Sequence, residues 1–235
     1  MNEAVKRYRY YDFIMASFVT ILILSNLVGA AKASVVTLPF VGEFTYGAGI
    51  LFFPISYVIG DVLTEVYGYA RARRVVWTGF VAMLFMVITT QIIVAMPPAD
   101  RWHDQAHYEA VFGQTPRIVI ASMFAFWVGE FANAYVMAKM KLMSEGKHLW
   151  MRTIGSTIVG QGVDSLLFYP IAFYGLWDNS VLFSVAVVAW LSKVLWEAFL
   201  TPLTYKAVNW LKAHEHEDVY DVDTDFSPFK VRLGK

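Results

Sequence analysis

The stretch PISYVIGDVLTEVYGY, residues 54–69, sets two carboxylates, Asp61 and Glu65, four positions apart in an otherwise apolar run. At that spacing they share one face of a helix. In a soluble helix such a face would be wet and broadly polar. Here the neighbouring positions are Ile, Val and Leu. Two acids inside a greasy helix need either a partner or water, and the rest of the chain shows why the question is acute.

Of 235 residues, 57% are hydrophobic, 17% aromatic and 16% charged, against about 25% charged in an ordinary soluble domain. Mean hydropathy is +0.49. The apolar residues fall in blocks close to the ~20 residues that a helix needs to cross a bilayer. This pattern predicts an all-α membrane protein folded as one bundle. There are no cysteines, which excludes disulfides, thiolate metal sites and lipid-modified cysteines. The first block follows KRYRYYD, residues 6–12, in the manner of a signal peptide. It is too long for a signal-peptide core and has no convincing cleavage site, so it reads as a retained span.

Six transmembrane helices are predicted, at about 12–34, 47–68, 75–96, 118–138, 153–175 and 181–206. LPFVGEFTYG (38–47), MPPADRW (96–102), MSEGKHLWMR (143–152) and YGLWDNS (174–180) punctuate them. The transmembrane domain then covers 1–212 and a polar tail covers 213–235. Fifteen of the nineteen Lys and Arg lie before the first span, in the second and fourth connections, or after the last span. Cytoplasmic loops carry this excess, so both termini are expected in the cytoplasm. Trp77, Trp150 and Trp177 fit an interfacial aromatic belt. The tail AHEHEDVYDVDTDFSPFK (213–230) is acidic and aperiodic, and partial disorder is expected for it.

Seven ionisable residues fall within or beside these spans: Lys32, Asp61, Glu65, Glu130, Asp164, Lys193 and Glu197. Each would cost about 2.5–3.5 kcal/mol at mid-membrane if it faced lipid. They are therefore expected to face inward. Structural readings exist for some: Lys193 and Glu197 are a turn apart and could pair, and Glu65 could snorkel beside Arg71 or Arg73. Five acids against two bases still leave about three carboxylates with no cation.

Neutral polar residues share the same faces. Asn26 lies mid-span beside Ser25, Asn133 is three positions after Glu130, and Gln161 is three before Asp164. Thr89, Thr90 and Gln91 lie deep in the third span. Trp127, Phe168 and Trp196 lie one turn from Glu130, Asp164 and Lys193 respectively, and are either plain packing or a stacking surface. Carboxylate, carboxamide and flat ring together suit a guanine-like base. Its adjacent N–H and NH₂ groups would donate to one carboxylate, its carbonyl would accept from an amide or lysine, and its ring would stack. Many polar heterocycles meet the same description.

A faint echo links IGDVLTEVY in the second span with GVDSLLFY in the fifth, aligning Asp61 with Asp164 and Leu63 with Leu166. The two spans should run in opposite directions, as two inverted three-helix repeats require. Pro54 and Gly60 in one, and Gly155, Gly160 and Gly162 in the other, would interrupt the spans at matching places or allow close helix packing. HDQAH (103–107) and HEHE (214–217) lack a fixed third ligand and read as solvated segments, so no metal is expected. No phosphate-binding loop, dinucleotide fingerprint, zinc-protease motif or nucleophile elbow is present.

SNLVGAAK (25–32), GDVLTEVYGY (60–69) and GQGVDSLLFYPIAF (160–173) resemble the signature segments of the queuosine-precursor transporter family, also called the vitamin uptake transporter family. The resemblance runs over essentially the whole chain. It implies a multi-pass protein of the bacterial inner membrane that imports 7-cyano- or 7-aminomethyl-7-deazaguanine for tRNA queuosine salvage. It implies no enzymatic activity and no cofactor. Asn26, Lys32, Asp61, Glu65, Gln161 and Asp164 stand in the matching motifs; Trp127, Glu130, Asn133, Phe168, Lys193 and Glu197 join the substrate-binding candidates on position and chemistry. Asp164 or Glu130 would take the purine-like N–H pair, and Gln161 or Asn26 the carbonyl edge. Asp61 and Glu65 would line the cytoplasmic half, with transport either proton-coupled or downhill. The partners implied are a small-molecule 7-deazaguanine and the lipid bilayer, not nucleic acid, and a homodimer stays open. Three other readings share the composition: the binding subunit of an ATP-driven vitamin importer, an intramembrane enzyme using Asp61 and Glu65 as acid and base, and an assembly factor whose buried acids tolerate neutral replacement.

Overall fold

The apolar blocks fold as helices in a computed structural model that describes residues 8–29, 32–38, 42–48, 52–113 and 116–230. Several sequence expectations lie outside these residues: the charges of Lys6, Arg7, Arg232 and Lys235, positions 30–31 of the first span, 39–41 of the first breaker, 49–51 of the second span, and 114–115 of the third connection. The elements are α1 (Tyr11–Leu24), a π-helical turn (Ser25–Gly29), strands β1 (Ala33–Leu38) and β2 (Gly42–Gly47), α2 (Phe53–Tyr67), α3 (Tyr69–Ala95), α4 (Gln105–Phe112), α5 (Pro116–Met143), α6 (Leu149–Phe173) and α7 (Asn179–Glu215).

Among the described residues, four stretches are long and apolar enough to cross a membrane by length and composition: 11–28, 69–95, 105–143 and 179–215. α2 and α6 are not among them. α2 has 15 residues, roughly 22 Å at 1.5 Å per residue, and α6 carries Arg152, Gln161 and Asp164. α2 is too short and α6 not apolar enough, and these two helices hold the aligned Asp61 and Asp164.

Several boundaries differ from the sequence reading. The described helical part of the first span runs to Gly29, and from Ala33 the chain forms an antiparallel hairpin that pairs Ala33 with Gly47 and Leu38 with Gly42. Val, Thr, Phe and Tyr in this segment favour a strand ladder over a helix. α3 begins at Tyr69, directly after Gly68, so Arg71, Arg73 and Arg74 lie in its first turns rather than in a loop. Gly68 makes this corner at φ 80°, and a Cβ there would stand 2.6 Å from Val219 Cγ1, so only glycine fits. α7 runs past the sixth predicted span to Glu215.

Pro54 sits in the first turn of α2, where its missing N–H costs nothing, and Gly60 does not interrupt that helix. α6 is likewise continuous through Gly155, Gly160 and Gly162. The glycines serve packing instead. A Cβ on Gly160 would lie 2.6 Å from Asn133 Cβ, and one on Gly129 would lie 2.9 Å from Asp164 Cβ. α5 and α6 therefore touch backbone to backbone at this level, as small residues permit in membrane bundles. Gly79 of α3 makes room for the side chains of Phe18 and Leu22 of α1.

The two ends of the described chain meet. The Tyr8 hydroxyl donates to Glu217 Oε2 at 2.7 Å, and the backbone amides of Arg9 and Tyr10 donate to the Glu215 carboxylate at 3.0 and 2.7 Å. This end of the bundle, called the terminal end below, also holds the α2–α3 corner and the α5–α6 turn. The β hairpin and α4 lie at the other end.

The tail does not behave as a disordered acidic segment. From 216 to 230 it lies across the terminal end. Val219 N–H donates to the Val66 carbonyl at 3.2 Å, and Asp221 accepts from the Tyr69 amide at 3.0 and 3.2 Å, satisfying an otherwise orphaned donor at the start of α3. Arg73 donates to the carbonyls of Asp225 and Ser227, and Trp77 Nε1 donates to that of Pro228 at 2.7 Å. Trp77 thus docks the tail. The tail lacks periodicity because its order comes from individual polar contacts rather than from a buried helix face.

Candidate functional site

A cavity of about 250 Å³ lies inside the bundle. Asn26, Phe53, Ser56, Tyr57, Ser122, Glu130, Gln161, Asp164, Phe168, Tyr169 and Lys193 supply its chemistry. Each long helix contributes. The SNLVG segment takes the π-helical turn at the end of α1, a geometry often found at functional sites, and this turn carries Asn26 into the wall. There Asn26 Nδ2 donates to the Leu22 carbonyl at 2.8 Å. A narrow side pocket beyond Asn26 and Met83 is lined by Thr90, Gln91 and Phe112.

Charge in the cavity is asymmetric. Lys193 Nζ of α7 donates to Asp164 Oδ2 of α6, and Tyr57 of α2 stands beside the ammonium. Lys193 is thus committed to α6 and does not pair with Glu197 on its own helix. Glu130 of α5 is 5% exposed and has no hydrogen bond or ion pair of its own among the described residues. Its Oε2 would lie 3.3 Å from a Cβ on Gly60, so the carboxylate rests against the α2 backbone where no side chain intervenes. Gln161 is 3% exposed and its Oε1 lacks a partner. The cavity therefore offers an ion pair, a free carboxylate, amides from α1 and α6, and the rings of Phe53, Phe168 and Tyr169.

Toward the terminal end lies a second layer. Asp61 of α2, with no exposed surface, accepts from Asn133 Nδ2 of α5 at 2.8 Å, while its Oδ2 has no partner. Glu197 of α7 is 1% exposed and neither of its oxygens has a partner. Asp61 and Glu197 are close enough to repel each other.

The third layer closes the terminal end. Glu65 takes both Arg152 Nε and Nη2 at 2.8 Å, as a two-pronged fork, and Lys212 Nζ at 2.7 Å, with Lys141 Nζ at 3.5 Å. Lys141 and Lys212 in turn reach Asp218 of the tail at 2.5 and 2.8 Å. Burial alone would push the Asp218 carboxyl up, but hydrogen bonds from Lys141 and Lys212 outweigh it and hold the group below the usual carboxylate range. Glu65 does not snorkel to Arg71 or Arg73. Its cations come from α5, α6 and α7, which a reading along α2 alone does not reach.

Of the twelve residues singled out from sequence, six line the cavity: Asn26, Glu130, Gln161, Asp164, Phe168 and Lys193. Asp61, Asn133 and Glu197 form the layer beneath it, and Glu65 belongs to the closing layer. Lys32 is exposed just ahead of β1, because the helix that was to carry it inward ends at Gly29. Trp127 faces α3, where its ring meets Trp77, Phe80 and Phe131 edge-on or tilted, so it packs and does not line the cavity. Tyr57 and Tyr169 were missed. Tyr57 was within reach, since it lies four positions before Asp61 and so shares its face. The HDQAH segment partly forms the exposed helix α4, where His107 Nδ1 meets Asp104 Oδ1 at 3.2 Å. No metal-binding cluster occurs among the described residues.

A helical bundle with apolar outer faces and a charged, ring-lined cavity has the architecture of a multi-pass membrane protein. Comparison with known proteins narrows the class. The family model described as "Putative vitamin uptake transporter" matches residues 47–207, and the chain belongs to that family, one of transporters rather than enzymes. It is 32% identical over 148 residues to the "Probable queuosine precursor transporter" of Bacillus subtilis (strain 168), a match covering 63% of this chain and 65% of that protein. It is 23% identical over 174 residues to the "Queuosine precursor transporter" of Escherichia coli (strain K12), covering 74% of each. The match to the "Probable queuosine precursor transporter" of Haemophilus influenzae (strain ATCC 51907 / DSM 11121 / KW20 / Rd) is 24% over 127 residues, 54% of this chain and 51% of that one. The chain thus spans just under two thirds of the Bacillus relative. No solved structure matches it.

Proposed function

We propose that this protein imports queuosine precursors, 7-cyano- or 7-aminomethyl-7-deazaguanine, across the bacterial inner membrane. It crosses the membrane six times with both termini in the cytoplasm, so the terminal end is the inner gate. The observation that carries this reading is the cavity itself, in which Glu130, a buried carboxylate with no cation of its own, faces a space walled by aromatic rings. A carboxylate accepts only, so what it lacks is a donor. The adjacent ring N–H and exocyclic NH₂ of a deazaguanine supply two on one edge. Gln161 and Asn26 stand where amides can meet the carbonyl edge, and the Lys193–Asp164 pair can meet the substituent at the 7-position.

The volume supports a single small bicyclic ring, since drug-sized ligands occupy pockets of about 300 Å³ and more. The names of the relatives support the substrate class. In this reading α2 and α6 are matching helices of two inverted halves. In support, they run in opposite directions along the bundle, and both carry polar residues in place of a fully apolar run.

Cells blocked in precursor synthesis and dependent on external 7-deazaguanines give the test. Expression of this protein should restore queuosine in their tRNA at low external precursor, and Glu130→Gln should not. Restoration by an empty vector, or equal restoration by the variant, contradicts the assignment.

A further inference from the structure

We propose that Asp61 and Glu197 form a proton-carrying pair that couples import to an inward proton gradient. This rests on the transport reading above and adds its energy source. Two parallel registers locate the pair. α2 and α7 both run toward the terminal end, and Tyr57 stands beside Lys193 at the cavity. Four residues further along each helix, about 6 Å at 1.5 Å per residue, come Asp61 and Glu197, both buried and near enough for their charges to repel. Along α2, Asp61 lies between Tyr57, which lines the cavity, and Glu65 of the closing layer.

No cation pairs with either acid among the described residues. The charged groups that face Asp61 are Glu197 from α7, Glu130 from α5 and Glu65 from its own helix, all acids. α1 and α3 face this stretch of α2 with Phe18, Ala72, Val75 and Val76. α6 brings Arg152 and Asp164 nearby, but the first is spent on Glu65 and the second on Lys193. Two carboxylates in a dry, shared space cannot both stay charged. An uncompensated buried charge costs several kcal/mol, and a proton removes that cost at once.

Three buried acceptor oxygens beside the acids are also without partners: Asn133 Oδ1, Gln161 Oε1 and Asp61 Oδ2. They are 3–5% exposed or less by residue. A carboxyl O–H is the donor this set lacks. No group of carboxylates and histidines among the described residues suits a metal ion.

With the cavity open to the outside, water delivers a proton to a carboxylate oxygen of the pair and an O–H bond forms. With the inner gate open, that bond breaks and the proton passes to cytoplasmic water. Glu65 is not part of this pair, because Arg152, Lys212 and Lys141 already neutralise it.

The test uses the purified protein in sealed liposomes with 7-aminomethyl-7-deazaguanine as probe and a pH-sensitive dye inside. Precursor counterflow at equal pH first establishes transport by the wild type; its absence removes the transport reading itself. Given counterflow, the wild type should accumulate precursor when the outside is acidic, and adding precursor should acidify the interior. In Asp61→Asn and in Glu197→Gln both effects should be lost, and any remaining counterflow should no longer respond to pH. Neither variant should melt below the wild type, which separates lost coupling from lost folding. Accumulation that ignores the proton gradient, follows a sodium gradient instead, or survives in both variants overturns the proposal.

Discussion

Asp61 and Glu65 lie one turn apart on the same helix, and neither has exposed surface. They nonetheless live in opposite electrostatic settings. Glu65 collects Arg152, Lys212 and Lys141 from three other helices. Asp61 meets one amide of Asn133 and otherwise other acids. The difference separates two uses of a buried charge. A carboxylate ringed by cations ties helices together and ties the tail to them. A carboxylate left without a cation carries a standing cost, which a folded chain retains only where a ligand or a proton removes it.

The largest expected effect breaks the comparison at Glu65. Glu65→Ala leaves Arg152 buried without a countercharge and Lys141 with Asp218 alone, and thermal unfolding in detergent should show a loss of about 3–5 kcal/mol. Asp61→Asn should leave the melting point unchanged or raise it, because it removes charge that nothing balances. Equal losses in the two variants would erase the distinction.

Next comes Lys193→Met, which strips Asp164 of the cation that holds α6 to α7. That pair is partly wet, with side chains 26% and 19% exposed, so the stability loss should be about 1–2 kcal/mol. Precursor affinity should fall with it. A variant that binds normally would take the ion pair out of the site.

Asp221→Ala is a smaller change. It removes the acceptor that the tail supplies to the first amide of α3. The cost should be about 1 kcal/mol, together with faster hydrogen exchange at Tyr69. Unchanged exchange would mean that the tail does not cap the helix.

The smallest effect is on pH. Asp218 is held below the usual carboxylate range, so its contribution is present above the unfolded value near 3.9 and is lost as pH falls through the lowered one. Protection of the tail from proteolysis should therefore persist down to about pH 4 and fail below it. Failure near neutral pH would point to a different titrating group.

The sequence made some of this legible and hid the rest for physical reasons. Length and hydropathy revealed helices wherever the apolar run was long. The excess of buried acids over buried bases, one residue at a time, pointed to carboxylates without cations. Asp61, Glu130 and Glu197 have no cationic partner among the described residues. The specific pairings were not legible, because they join helices far apart in sequence: Glu65 meets Arg152 across 87 positions. Arg152 and Lys141 looked like ordinary members of a basic connection, yet both are buried. The tail misled for the same reason. Its acids resemble a solvated segment until Lys141, Lys212 and Arg73 are brought beneath them. Lys32 and the hairpin failed on a local signal, since the helical pattern of the first block continues past the residue where the chain leaves the helix.

Calorimetric titration of the purified protein with 7-aminomethyl-7-deazaguanine tests the role of Glu130 most directly. The wild type should bind it saturably, in preference to riboflavin, and Glu130→Gln should weaken binding by about tenfold or more, the equivalent of roughly 1.4 kcal/mol for a lost charged acceptor. No heat from the wild type, or an undiminished affinity in the variant, would contradict a cavity built around that carboxylate.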